Sequence, residues 1–280
     1  MKHPALIFLV TVGLSFAVAP ARASDSPNIL FIISDDLNYA LSGLDHPEAK
    51  TPRLDEFAKS AVSFTRAYSQ FPLCGPSRAS IMSGQYPIVN GVAGNGGELD
   101  PDRVTLPRHF QNHGYWTGRV SKIYHMGIPV DILQGTSGKD HAASWQLTHD
   151  IMAMESMTPG KTIDYLNPKD PEAFVEERKK WQAAYDSGSP YEMIPEARSQ
   201  FAVTKVADED THLLADTIAA DRAIELLQER GKSNDPFFLA VGFVRPHFPF
   251  IATESDLAPY DADELEYPAF PENDYDDIPP

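Results

Sequence analysis

Asn28-Ile29-Leu30-Phe31-Ile32-Ile33-Ser34-Asp35-Asp36 is an apolar run that stops on two adjacent acids. Its continuous pattern, apolar at every position from Ile29 to Ile33, predicts a strand buried on both faces, as in a parallel sheet. Phe237-Phe238-Leu239-Ala240-Val241-Gly242-Phe243-Val244 has the same character and predicts a second central strand, ending at Arg245-Pro246-His247. Between the two, helical and extended patterns alternate. Thr51-Pro52 offers an N-cap and a proline at the first helical position, with Leu54, Phe57, Ala58 and Ala61 following at helical spacing. Ser63 to Ser69 reads as a strand, and Phe71 to Arg78 turns into a helix through Ala79, Ile81 and Met82 that Gly84 closes. Leu106-Pro107 starts a helix carrying Phe110 and ending near Gly114, and Tyr115 to Val120 reads as a strand that delivers Lys122, with His125 shortly after. From Leu213 to Arg230, Leu213, Leu214, Thr217, Ile218, Ile224 and Leu227 share one helical face, and Gly231 stops the helix.

Strands alternating with helices imply right-handed β-α-β crossovers, so the fold class is α/β, with a mostly parallel central sheet flanked by helices on both faces. In such sheets ligands bind beyond the carboxyl ends of the strands. Asp35 and Asp36, Lys122 and His125, and Arg245 and His247 are all released at that edge and are expected to converge. Residues 128–208 are dominated by Pro, Gly, Ser and charged residues and give no clear pattern beyond a helix near Pro171–Tyr185. They are either a surface excursion or a substrate-facing lid.

The 280 residues, 42% of them hydrophobic, supply one large core, or a core with a smaller appendage. Residues 1–23 begin with Lys2, run apolar from Leu6 to Val18 and reach Ala21-Arg22-Ala23, the pattern of a cleaved signal peptide. The run is shorter than the ~20 residues of a spanning helix, so a secreted or periplasmic protein with no membrane span after cleavage is expected. Cleavage removes Lys2 and Arg22 and no acid, taking the net charge from −17 to −19. That sign argues against nucleic acid as a partner. It does not exclude an anionic substrate, because a local cation can override the global charge. The single cysteine, Cys74, excludes an intramolecular disulfide and is either a small buried hydrophobe or a reactive group.

Adjacent carboxylates such as Asp35 and Asp36 repel each other unless a positive group sits beside them, which a hard divalent cation would do; alternatively one is a helix cap and the other is solvated. Cys74-Gly75-Pro76-Ser77-Arg78 is more specific. Pro76 can start a helix whose free N–H groups face an anion, and Arg78 adds a fixed guanidinium, making an anion pocket around a sulfur atom. This stretch, continued by Ala79-Ser80-Ile81-Met82-Ser83-Gly84, resembles the signature of the type I sulfatases. Gln85 stands where the second part of that signature usually carries arginine.

The resemblance runs from about Pro27 to the end. Ser121-Lys122-Ile123-Tyr124-His125-Met126-Gly127 and Pro236 to Phe250 are similar to the iduronate-2-sulfatase branch in particular. It implies an alkaline-phosphatase-like sulfatase fold, with residues 24–280 as the N-terminal part of the catalytic domain. It also implies Cys74 oxidised to formylglycine by a modifying enzyme, and a Ca2+ ion held by Asp35, Asp36 and the modified Cys74. Arg78 would hold the formylglycine hydrate, and Lys122 would bridge hydrate and sulfate. His125 would orient or deprotonate a hydrate hydroxyl, and His247 would contact the sulfate or protonate the leaving oxygen. The implied reaction is removal of sulfate from a sulfated carbohydrate. Two other readings are a phosphate or phosphonate monoester hydrolase of the same superfamily and an inactive binding protein, because no further calcium-ligand motif follows His247.

Overall fold

The computed structural model of the chain describes residues 26–44, 46–153, 161–165, 202–261 and 263–265, with six single positions between 176 and 187. The expected signal peptide lies outside the described residues. Of the expected helix near Pro171–Tyr185, only Glu176, Lys179, Lys180, Ala183 and Ala184 are described, and all are helical.

The strands among the described residues, numbered in chain order, are β1 (Ile29–Ser34), β2 (Trp116–Ser121), β3 (Leu147–His149), β4 (Lys161–Tyr165), β5 (Ala202–Val206), β6 (Phe237–Phe243) and β7 (Phe250–Thr253). The helices are α1 (Pro52–Ala58), α2 (Cys74–Ser83), α3 (Pro87–Asn90), α4 (Leu106–Asn112), α5 (Val130–Gln134), α6 (Ala215–Arg230) and α7 (Glu254–Leu257). The main sheet has the order β1-β6-β2-β3 with every pair parallel, and β4, β5 and β7 form a second, mixed sheet. β6 is central, as its unbroken apolar sequence requires.

Successive side chains of β6 face opposite sides of the sheet, and each side has its own core. Phe237, Leu239 and Val241 pack with Val120 and with Ala215, Ala219, Ala223 and Leu226 of α6. Phe238 and Ala240 pack with Ala79 and Met82 of α2, Phe31 and Ile33 of β1, and Phe110 of α4. Helices therefore cover both faces at the centre, as expected for the α/β class.

Five local expectations are corrected. β1 is an edge strand: Ile29, Phe31 and Ile33 face the core, whereas Leu30 and Ile32 are 45% and 56% exposed, since among the described residues nothing covers their face. Ser63 to Ser69 is not a strand, and Phe64 and Tyr68 are exposed; extended chain with no neighbour to complete a hydrogen-bond ladder has little to hold it. Thr51 stands at the N-cap of α1 with Pro52 after it, as expected, but its side chain makes no capping bond, because its hydroxyl bonds Asp55 at 3.0 Å and lies 2.8 Å from that of Ser42. α2 begins at Cys74, two residues before Pro76. α6 buries Ala215, Ala219, Ala223 and Leu226, with Ile218 and Leu227 of the expected stripe partly buried against the same core and Ile224 half exposed, because small side chains let the helix approach the sheet closely. Leu213 lies in a preceding 3-10 turn (Asp208–Leu213) and Leu214 at the cap of α6.

Candidate active site

The carboxyl ends of β1, β2 and β6 meet at one edge, and the expected convergence is found there for all of the residues but Arg245. The Asp35 N–H donates to Phe243 O at 3.0 Å, extending the β1–β6 ladder by one bond and fixing Asp35 at the floor. Asp36 then takes φ +59, a left-handed conformation that ends the strand and turns its side chain to the surface. Asp35 is buried and charged: Arg78 Nη2 donates to Oδ1 at 2.8 Å and Lys122 Nζ donates to Oδ2. Burial alone would raise its pKa, but the Arg78 guanidinium and the Lys122 ammonium outweigh that and hold it at about 2.

Cys74 opens α2, its Sγ 3.7 Å from Asp35 Oδ1. Burial, followed by the Asp35 charge, raises the thiol pKa, so as an unmodified group it is protonated. The free N–H groups expected to face an anion are not all free, because the Gly75 N–H donates to Asn95 Oδ1 at 2.9 Å. One turn on, buried Arg78 is fixed three ways, by Asp35, by Lys122 O at 2.7 Å and by Ile123 O at 3.0 Å.

Lys122 is placed by backbone. Ser121 adopts φ +59 at the end of β2, and Gly242 of β6 lies so close that a Cβ there would stand 2.0 Å from Lys122 O. The Lys122 side chain is wholly buried against Asp35, and burial lowers its pKa while Asp35 opposes the shift.

Two histidines flank this floor. His125 has a buried Nδ1 with no hydrogen-bond partner among the described residues, and burial, then the Lys122 and Arg78 charges, push its pKa from 6.5 to about 4. His247 follows β6, its Nδ1 2.6 Å from Phe248 O; a carbonyl can only accept, so Nδ1 carries the proton and, in the neutral ring, Nε2 the lone pair. Nε2 lies 3.9 Å from Asp36 Oδ2. Burial and then Lys122 lower the His247 pKa. Arg245 does not line the cleft but turns back, its Nη1 donating to His247 O at 2.6 Å.

Asp35, Asp36, Cys74, Arg78, His125 and His247 all border one open cleft of about 1030 Å³, with Phe71, Leu73, Ile128 and Phe248 among its apolar walls. Lys122 lies beneath it. Sequence reasoning missed Asn95 and Asp216; an acid in the first turn of α6 was the available signal for the latter.

The sulfatase family model matches residues 27–274. The chain belongs to the sulfatase family. It is 29% identical over 269 residues to a sulfatase of Formosa agariphila, covering 91% of this chain and 46% of that protein. It is 28% identical over 246 residues to iduronate 2-sulfatase of Mus musculus, covering 85% of this chain and 38% of the relative. The chain thus spans less than half the length of these curated relatives. The solved phosphonate monoester hydrolase SpPMH of Silicibacter pomeroyi shares the fold at TM-score 0.58 and 20% identity, covering 88% of this chain and 46% of that one.

The Ca2+ ion that the sequence resemblance implies would have to be held by the donor atoms at this edge. Donor atoms of Asp35, Cys74 and His247 lie within 4.8 Å of one another, and the Asp36 carboxylate stands outside that cluster beside His247. Calcium takes oxygen ligands, so the sulfur is the misfit, and replacing it by an oxygen makes a hard set with Asp35 and Asp36. Charge agrees: the two carboxylates cancel Arg78 and Lys122, so a divalent cation would make the floor attractive to an anionic ester. Among the described residues this donor set therefore fits the cation once Cys74 carries oxygen.

Proposed function

We propose that this chain carries the nucleophile-bearing part of a calcium-dependent, formylglycine-bearing sulfatase that removes sulfate from a sulfated carbohydrate, of iduronate-2-sulfatase type. The observation that carries the reading is the placement of Cys74 at the head of α2, against the buried Asp35–Arg78–Lys122 cluster and between two histidines. On this reading residues 1–23 direct export to a secreted or periplasmic location, a modifying enzyme acts on Cys74, and residues 24–280 are the N-terminal part of the catalytic domain. No helix among the described residues is long and apolar enough to cross a membrane.

The formylglycine hydrate supplies two hydroxyls on one carbon, one to attack sulfur and one to release the product. Asp35, Asp36 and the oxygen at position 74 would hold Ca2+, which supplies positive charge for the anionic ester. Arg78, locked by three hydrogen bonds, is preorganised and adds charge without moving during reaction. Lys122 can share its ammonium between Asp35 and a sulfate oxygen. His125, neutral above about pH 4, has a lone pair with which to take a hydroxyl proton. His247 presents Nε2 to the cleft, and an arriving sulfate anion opposes the lowering of its pKa, so that the imidazolium can pass a proton to the leaving oxygen.

Parallel rates on a sulfate ester and the matching phosphate monoester test the reading. Faster sulfate hydrolysis that disappears in Cys74→Ala supports it, and preference for phosphate would transfer the site to the phosphate and phosphonate hydrolases.

A further inference from the structure

His247 sits just beyond β6, where the chain leaves its ladder and its N–H groups lose their strand partners. Two of those N–H groups are taken by one side chain. Val244 N–H donates to Asp216 Oδ1 at 2.7 Å, and Arg245 N–H donates to Asp216 Oδ2 at 2.9 Å. Asp216 lies in the first turn of α6, where an acid ordinarily serves its own helix terminus. Here both oxygens reach across instead, to residues 28 and 29 positions further along the chain.

The corner is also held at Arg245 O, which accepts from Ser34 Oγ of β1, and by the Val244 side chain, which is buried in the core beside α6. His247 N–H donates to Val244 O at 3.0 Å, Arg245 Nη1 donates to His247 O, and His247 Nδ1–H donates to Phe248 O. These internal bonds set the shape of the turn, and its place is set by its ties to β1 and to α6. Asp216 supplies the polar tie to α6, accepting from two successive N–H groups. Burial raises the Asp216 pKa and its two N–H bonds oppose the shift.

We propose that Asp216 is a positioning residue for His247: its carboxylate fastens the Val244–Arg245 corner to α6 and thereby holds the imidazole Nε2 at the cleft, beside Asp35 and Cys74. The inference rests on the sulfatase reading, because protonation of the leaving oxygen is what gives the position of Nε2 its use. A carboxylate is the right group for the task, since it accepts twice. Asn is isosteric but accepts through one oxygen only and turns an amide donor against the second N–H.

The test compares wild type with Asp216→Asn in histidine-labelled protein by NMR, after thermal unfolding has established that the variant is folded. If it is not, Asp216→Ser, whose hydroxyl still accepts one N–H, takes its place. The His247 ring signals are expected to show the Nδ1–H tautomer in wild type and to move toward averaged tautomers in the variant. Those of His141, held separately by Ser144 and Asp100, are expected to stay. Turnover adds a second readout, because nitrophenolate leaves without a proton and a sugar alkoxide does not. Asp216→Asn is expected to lose ~100-fold on a sugar O-sulfate and less than ~3-fold on 4-nitrophenyl sulfate. In a His247→Ala background it is expected to add nothing further. A folded variant with unmoved His247 signals, or with equal losses on both esters, would overturn the proposal. If wild type turns over neither ester, the sulfatase reading fails, and the ring signals alone decide whether Asp216 positions His247.

Discussion

Gly242 of β6 touches the backbone of Lys122 so closely that a Cβ would stand 2.0 Å from Lys122 O and 2.3 Å from its carbonyl carbon. The same carbonyl accepts from Arg78. Any side chain at 242 must therefore displace the lysine, and with it one of the three bonds that fix the guanidinium. Gly242→Ala is expected to cost about 3 kcal/mol or more, at the upper end of overpacking effects because the neighbour is backbone. Urea unfolding measures this; a loss under about 0.5 kcal/mol would contradict the geometry.

Asp35 neutralises two buried cations at once. Asp35→Asn keeps the shape but leaves Arg78 and Lys122 without their counter-charge, and a loss of roughly 3–5 kcal/mol is expected. A depressed folded pKa also fixes the acid response. The stabilisation is fully present above the ordinary value of 3.8 and is lost as pH falls from there through about 2. Acid titration of stability in wild type and Asp35→Asn checks this: the wild-type loss below pH ~4 should shrink in the variant.

His125 acts in a different window. Between about 4 and 6.5 the unfolded chain binds a proton that the folded imidazole refuses, so stability falls as pH drops through that range. His125→Gln removes this contribution and is expected to reduce the difference in Tm between about pH 7 and about pH 4.5. Some slope remains, because His149 and His247 are pushed the same way, each chiefly by burial. An unchanged slope would show that His125 titrates normally.

Arg119 organises the segment after β2. It is buried, with Nε and Nη2 on Asp140 Oδ2, Nη1 on Asp150 Oδ1 at 2.8 Å and Nη2 on Ser137 at 3.0 Å. Arg119→Met leaves two carboxylates without their cation and is expected to cost about 3 kcal/mol. Lys59→Ala breaks an exposed pair with Glu56 and is expected to change stability by less than about 0.5 kcal/mol. Chemical denaturation of the two variants side by side measures the contrast.

The central strand β6 and the convergence of Asp35, Lys122, His125 and His247 were legible because a buried parallel strand is apolar throughout and releases its polar residues at one end, whereas the same apolar pattern in β1 did not show that it lies at the sheet edge. Cys74-Gly75-Pro76-Ser77-Arg78 was legible because its residue types serve one chemistry. Other features depend on partners far away in the chain. Asp216 reads as an ordinary first-turn acid until Arg245 folds back onto it, and Gly242 reads as a weak strand residue until Lys122 crosses it. The buried face of α6 was hidden because Ala215, Ala219 and Ala223 carry less apolar weight than the leucines beside them. β3, at three residues, and α5, at five, are too short to show a period.

The central claim is that Cys74 carries an aldehyde. Peptide mass spectrometry of the exported protein, read at the tryptic peptide containing Cys74, tests it most directly. The account predicts a mass lower than the cysteine form by roughly 18 Da, the exchange of a thiol for an aldehyde. An unmodified cysteine, in a host that carries the modifying system, would contradict it.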